Sequence, residues 1–275
     1  MILCQDNNLT NDSYPYVTGM GFRSRSHLIW DEFQRDDPSS ITKDGQVVFI
    51  KTDFIDNFFK CVMPEIKHQV NIITHNSALG INLTHLQYLS HIKVLNWYAQ
   101  NANFAHPKLT SIPLGIANQR WPHGDIKKIE AIINEPIKKQ HLAYMNFEIG
   151  TNVDERTKVY NLFRDKEYVN FCKKKSFVDY LRDLKASKFS LSPEGRGTDC
   201  HRIWESILMG TVPVVKRCNN ISFYEDMPIL IIDEWADVSK TLLTKHYEDF
   251  ILNKRPVSKI YLDYWIKRIG LKKHE

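Results

Sequence analysis

The stretch Phe189-Ser-Leu-Ser-Pro-Glu-Gly-Arg-Gly-Thr-Asp-Cys-His-Arg-Ile-Trp-Glu-Ser-Ile-Leu-Met-Gly210 decides the reading of this chain. It reads as a strand at 188–191, a turn at 193–197 and a helix over 200–209 that Gly210 ends. Glycines let a backbone approach a phosphate closely. The helix that follows offers unpaired N–H groups and a partial positive charge at its start. His201 and Arg202 fall in its first turn. Glu205, three and four residues on, shares their side of the helix. A carboxylate there suits the two hydroxyls of a ribose, so the order phosphate donors then sugar acceptor fits a nucleoside diphosphate. Two plainer readings stand beside it. Gly195-x-Gly197 lacks the third glycine of a dinucleotide fingerprint, because Cys200 occupies that place. Glu205 would pair equally well with Arg202 on a solvated face.

Working outward, strands alternate with helices on both sides of this block. Val212-Pro-Val-Val215 and 229–232 follow it as strands, then a late helix marked by Leu242, Leu243, Tyr247, Phe250 and Ile251. Before it, His141-Leu-Ala-Tyr-Met-Asn-Phe147 reads as a strand. Asn152, with Glu155 three residues on, opens a helix in the manner of a capping box. Ser176 opens another, with Phe177, Tyr180, Leu181 and Leu184 at helical spacing. Further back lie strands Gln46-Val-Val-Phe-Ile-Lys51, Val70-Asn-Ile-Ile-Thr74, Val94-Leu-Asn-Trp-Tyr98 and Ser111-Ile-Pro-Leu114, with helices near 54–60 and 83–91. Residues 1–40 are mixed and polar, with few periodic segments. Four prolines (Pro107, Pro113, Pro122, Pro136) crowd 107–136 and mark a joint near 118–125. The expected organisation is two α/β units at 1–119 and 120–255, followed by a helix after Pro256. Ligands of such open sheets bind beyond the carboxyl ends of the strands.

Composition narrows the class. The 275 residues are 43% hydrophobic and 25% charged, which excludes a disordered chain, a collagen and a coiled coil. No run of 18 apolar residues occurs, and the first residues lack the basic and apolar regions of a signal peptide, so a soluble, cytoplasmic protein is expected. Lys and Arg total 37 against 32 Asp and Glu, a net charge of +5. The clustering is slight: Lys173, Lys174 and Lys175, then Lys272 and Lys273. That run and the interspersed aromatics keep a nucleic-acid binder open as an alternative, which a steep salt dependence of binding would support. Cysteines 4, 61, 172, 200 and 218 show no metal-ligand spacing and fit free thiols. Asn8, Asn11, Asn82 and Asn220 stand in sequons that carry little weight without a leader.

The block 189–215 resembles the exostosin-like (GT47-type) glycosyltransferases. Ser192-Pro193-Glu194-Gly195, Arg202, Glu205 and Gly210-Thr-Val-Pro-Val214 carry the likeness. Phe49-Ile-Lys-Thr-Asp53, Ile73-Thr-His-Asn-Ser77 and 101–124, with Pro107-Lys108, Pro113-Leu-Gly-Ile-Ala-Asn118 and Trp121, extend it to most of 47–235. The resemblance implies a GT-B fold, two Rossmann-like domains facing across a cleft. The C-terminal domain then holds the nucleotide sugar, the N-terminal domain the acceptor, and the helix of 256–275 crosses back to the first domain. It implies an inverting transfer from a UDP-sugar to a glycan acceptor. Donor contacts would come from Asn152, Arg156, Ser192, Pro193, Glu194, Gly195, Arg196, Gly197, Asp199, His201, Arg202 and Glu205, with Glu205 on the ribose and Asn152 and Arg156 reaching the diphosphate. Acceptor contacts would come from Asn76, Ser77, Asn118 and Trp121. Asn152 and Arg156 also read as a helix cap and a surface arginine. Trp97, Trp121 and Trp235 would stack on sugars or sit in the core.

No Asp-x-Asp is present, so no metal or other cofactor is expected, and Arg156, Arg196, His201 and Arg202 would neutralise the leaving UDP. An inverting transfer needs a general base. Asp53 and His75 both follow strands, where such a base belongs, although either would also serve as a cap or a backbone partner. Sequences of this kind carry His-Asn-Ser-Asp, whereas here Ala78 takes the fourth place. Either the chain is a variant made to trap substrates, or Asp53 is the base. A catalytically dead sugar-nucleotide binder also accounts for Ala78. Among the soluble members, the chain resembles the xylosyltransferases with which large DNA viruses of algae, the chloroviruses, glycosylate their capsid protein. That likeness implies UDP-xylose as donor, a fucose-bearing glycan on a capsid glycoprotein as acceptor, and the host cytoplasm as the setting, with no nucleic acid or membrane partner. A GDP-fucose transferase has a comparable C-terminal layout, so the nucleotide stays open.

Overall fold

The computed structural model describes residues 13–172 and 175–272. Cys4, Asn8, Asn11, Lys173, Lys174 and Lys273 lie outside them. The described residues form two compact units. One takes in everything up to Gly124 together with Ser258 onward, and the other runs Asp125–Val257.

In chain order the first unit runs α1 (Gly19–Ser24), β1 (Leu28–Trp30), β2 (Val47–Lys51), α2 (Ile55–Cys61), β3 (Val70–His75), α3 (Leu86–Leu89), β4 (Val94–Ala99) and β5 (Leu109–Ser111). All five strands are parallel and lie side by side in sequence order. Residues alternate across such a sheet, and apolar β-branched runs bury both faces. Val48, Ile50, Ile72 and Trp97 accordingly pack with Ile55 and Phe58 of α2. Val47, Phe49, Ile73 and Tyr98 pack with Phe22 of α1 on the opposite face. The first forty residues, mixed and polar as they read, hold α1 and β1. β1 has three residues, too few to register as a period, and α1 starts on the Thr18 hydroxyl, which accepts from the N–H of Gly21 at 3.0 Å.

The second unit runs α4 (Ile126–Asn134), β6 (His141–Met145), α5 (Val153–Phe163), β7 (Val169–Phe171), α6 (Phe177–Lys185), β8 (Ser187–Leu191), α7 (His201–Leu208), β9 (Val212–Lys216), α8 (Asn219–Ser222), β10 (Leu230–Ile232) and α9 (Lys240–Leu252). The chain then re-enters the first unit as α10 (Leu262–Ile269), whose Leu262 and Trp265 join the cluster around Phe22 and Phe49. The second sheet is also parallel, in the order β10-β9-β8-β6-β7. From β6 the chain moves outward to β7, then returns past β6 to β8. That reversal makes the carboxyl ends of β6 and β8 a topological switch point, where the connecting loops diverge to opposite faces and leave room for a ligand. Val159 and Phe163 of α5 bury one face against Met145, Phe189 and Leu191. On the other face Ser190 and Ser206 hydroxyls lie 2.6 Å apart, joining β8 to α7.

No helix among the described residues is long and apolar enough to cross a membrane.

Candidate functional site

The switch point of the second sheet gathers the residues singled out in the sequence. After β6 the loop carries Asn146, Phe147 and Glu148 before Asn152 caps α5, its side chain accepting from the N–H of Glu155 at 3.2 Å. The capping box is half formed: Glu155 turns away and accepts from the Trp235 indole at 2.6 Å. After β8 the loop 192–200 leads into α7. Ser192 is buried and its N–H donates to Val214 O at 2.9 Å, which extends the sheet by one residue.

Arg156 joins the two loops. The residue is 5% exposed, and its guanidinium donates to three main-chain carbonyls: Glu148 O at 2.8 Å, Glu194 O at 3.0 Å and Pro193 O at 3.3 Å. Asn152 adds a fourth tie, its Nδ2 donating to Gly195 O at 3.2 Å. Asn152 is the helix cap of the plain reading, whereas Arg156 is buried and not the surface arginine that reading allowed. A Cβ at position 195 would come within 2.9 Å of Arg156 Nη2, so the close approach favours glycine. Burial, and then the charge of Arg202, lower the Arg156 pKa to about 10. Arg202 donates from Nε to Asn146 O at 2.9 Å. Both guanidiniums lie about 5.5 Å from the centroid of the Phe147 ring. Neither makes an ion pair among the described residues. The two arginines stand close enough for the charge of one to act on the other, and Glu148 offsets part of that charge without an ion pair. The N-terminus of α7 adds to it, because Cys200 there makes no side-chain capping bond.

Glu205 is buried at 5% exposure, and its Oε2 accepts from the Tyr180 hydroxyl at 2.8 Å. It does not lie on a solvated face paired with Arg202. Burial, and next the Glu205 charge, push the Tyr180 pKa up, so the phenol stays a donor. Asp199 is buried and accepts from the Trp204 indole at 2.8 Å. His201 sits in the first turn of α7, and Arg196 and Glu194 are exposed with Gly197 beside them. Burial and the neighbouring Glu155 raise the Glu194 pKa. Sequence reasoning missed Phe147, Asn146, Glu148 and Tyr180 as parts of this site. Helical spacing gave the direction of the Tyr180 ring but not the partner of its hydroxyl.

The carboxyl ends of the first sheet hold the other group. His75 ends β3, 1% exposed. Its Nδ1 accepts from the N–H of Asn76 at 2.7 Å, so Nε2 carries the hydrogen and donates to Pro113 O at 3.1 Å. Asn118 accepts from the N–H of Met20 at 2.9 Å and donates to Asn76 Oδ1 at 3.0 Å. Asn76 has φ of 60°, and a Cβ on Gly19 would come 1.8 Å from its Oδ1. Ser77 and Ala78 follow, Ala78 exposed. Asp53, exposed, lies in the 3-10 turn after β2. Trp121 is 50% exposed, with Arg120 over its ring at 5.5 Å and Phe33 on Arg120 at 5.6 Å. Trp97 and Trp235 are core residues, their indoles bonded to Thr74 and Glu155. Among the described residues no group of three or more His, Cys, Asp or Glu is placed to hold a metal ion.

Residues 149–267 match the family model described as the RXYLT1 C-terminal domain. No curated protein matches the chain. Among solved structures, a chain of the "Crystal structure of GtfA/B complex" is similar at a TM-score of 0.37 and 12% identity, over 83% of this chain. This chain spans 54% of the length of that one.

Proposed function

We propose that the protein is a glycosyltransferase that moves a sugar from a nucleoside diphosphate donor to a glycan hydroxyl with inversion. The observation that carries this reading is the pair of guanidiniums, Arg156 and Arg202, gathered at the β6/β8 switch point, with the buried, oriented carboxylate of Glu205 one turn of helix from Arg202. Phosphate needs the first and a ribose diol the second. The match of 149–267 to the RXYLT1 C-terminal domain supports the same chemistry. Taken with the resemblance to exostosin-like enzymes, it favours UDP-xylose as donor.

In this reading the second unit holds the donor and the first the acceptor, a GT-B division of labour. Glu205 accepts from the ribose hydroxyls. Arg202, His201 and the 192–197 loop stabilise the charge that grows on the leaving diphosphate, in a site whose dipoles are already fixed. Asn76, Ser77, Asn118 and Trp121 line the acceptor side. His75 spends both ring nitrogens on the backbone, which leaves Asp53, or an Asp at the place of Ala78, as the general base to test.

Calorimetric titration without metal tests the reading, using UDP-xylose, UDP-glucose, UDP-GlcNAc, UDP and GDP-fucose. Micromolar binding of UDP and one UDP-sugar, lost in Glu205→Ala, is expected. GDP-fucose binding in their place would change the nucleotide, and no binding at all would overturn the proposal.

A further inference from the structure

Arg156, 5% exposed, gives three of its five N–H donors to main-chain carbonyls, and Asn152 gives its Nδ2 to another, and this determines what the loop after β8 offers a ligand. Three consecutive carbonyls, of Pro193, Glu194 and Gly195, are drawn to these two side chains at the start of α5. In a planar trans peptide the N–H of the next residue points opposite to the carbonyl. The N–H groups of Glu194, Gly195 and Arg196 therefore turn away from α5. That of Gly195 is taken up by Gly197 O at 3.1 Å. Those of Glu194 and Arg196 make no hydrogen bond among the described residues.

We infer that Arg156 and Asn152 are positioning residues, which hold the 193–196 backbone so that the N–H groups of Glu194 and Arg196 donate to the diphosphate, and that neither side chain touches it. The inference rests on the nucleotide-donor reading and assigns its contacts differently: the pair expected from the sequence to reach the phosphates shapes the loop that does. Gly195 belongs to the same device, because a Cβ there would lie 2.9 Å from Nη2, the atom that donates to Pro193 O, and would disturb that bond. The Arg156 charge still adds to the local field, but the hydrogen bonds come from the main chain. Backbone donors turned to one side by a turn make an anion-binding concavity.

The test is an amide-resolved titration of the full chain with UDP and with inorganic pyrophosphate, each with the variants Arg156→Lys, Arg156→Gln and Asn152→Ser. In the wild type the amides of Glu194 and Arg196 are expected to shift with both ligands. A lysine gathers its three donors on one atom, so it does not reproduce the spread of Nε, Nη1 and Nη2 over three separate carbonyls. Arg156→Lys is therefore expected to lose as much UDP affinity as Arg156→Gln, about tenfold or more. Asn152→Ser keeps an acceptor for the cap of α5 but loses the donor to Gly195 O, and should silence the Arg196 amide specifically. Where Arg156→Gln fails to fold, Asn152→Ser and the wild-type titration decide alone. Wild-type affinity in Arg156→Lys, or silence of Glu194 and Arg196 at UDP saturation, would overturn the inference while the donor reading stands. No response of any second-unit amide to UDP, GDP or pyrophosphate would overturn both.

Discussion

Tyr180 on α6 donates its phenolic hydrogen to Oε2 of Glu205 on α7 at 2.8 Å, so one buried carboxylate is fixed by a residue of a different helix. A buried charge is costly unless it is hydrogen-bonded. Tyr180→Phe removes a donor and leaves the acceptor in place, a loss of about 1–3 kcal/mol in folding stability. The same change loosens the orientation of the acid, so the Kd for UDP should rise about three- to tenfold. Glu205→Ala should abolish UDP binding in calorimetry. Undiminished affinity in that variant would remove Glu205 from the ribose.

Arg202 contributes charge where Glu205 contributes an acceptor, and the two effects separate by ligand. Arg202→Ala should weaken UDP by about ten- to a hundredfold, the scale of one lost charge-assisted hydrogen bond. Uridine, which has no phosphate, should bind the variant and the wild type alike. The salt dependence of UDP binding should flatten in the variant as well. An equal loss for uridine and UDP would mean that Arg202 acts by holding Asn146 O rather than by meeting phosphate.

Lys139 lies at the opposite ends of the same strands and gives a pH signature unrelated to the ligand. Its Nζ donates to Ser187 O at 2.7 Å and Thr211 Oγ1 at 2.8 Å, while burial, then Lys185, lower its pKa to about 7. An unfolded lysine titrates near 10.4. Between those two values the unfolded chain binds more protons, so this group makes stability rise with pH across that window and adds no slope below about 7. The denaturant midpoint of the wild type should climb from pH 7 to pH 9 more steeply than that of Lys139→Met. Parallel slopes would show that Lys139 stays charged in the folded protein.

Much of this architecture was legible because apolar β-branched runs such as 46–51, 70–74 and 212–215 have no other stable home than a buried parallel sheet. Ser176 and Asn152 declared their helices through side chains that cap them. β1 and β7, at three residues each, fell below any period, and α4 lay in a stretch read as a proline-rich joint, although Ile129 and Ile132 bury a face of it. The site was legible as a set of residue types but not as a set of roles. Nothing in the sequence distinguishes an arginine that meets a phosphate from one that holds three carbonyls. That depends on a helix residue and a loop residue 38 positions apart in the chain, Arg156 and Glu194, coming within hydrogen-bond distance.

Ala78 marks where the chemistry of this chain departs from its resemblance, and the local geometry makes the departure reversible. The backbone on either side is held: the N–H of Leu79 donates to Ser77 Oγ at 3.1 Å, and Gln100 Nε2 donates to Ser77 O at 2.7 Å. Ala78 itself is exposed, so an Asp fits there without displacing core atoms. If that position is the seat of the general base, Ala78→Asp should raise the transfer rate by about 10²–10⁴-fold, the usual worth of a positioned base. The Kd for UDP should stay unchanged, because position 78 lies in the first unit. Transfer by that variant should fall off as pH drops through the carboxylate range, and Asp53→Asn in the same background should cost little. No gain from Ala78→Asp, together with loss of a measurable basal rate in Asp53→Asn, would place the base at Asp53. Donor binding without turnover in every one of these variants would make the chain a sugar-nucleotide binder.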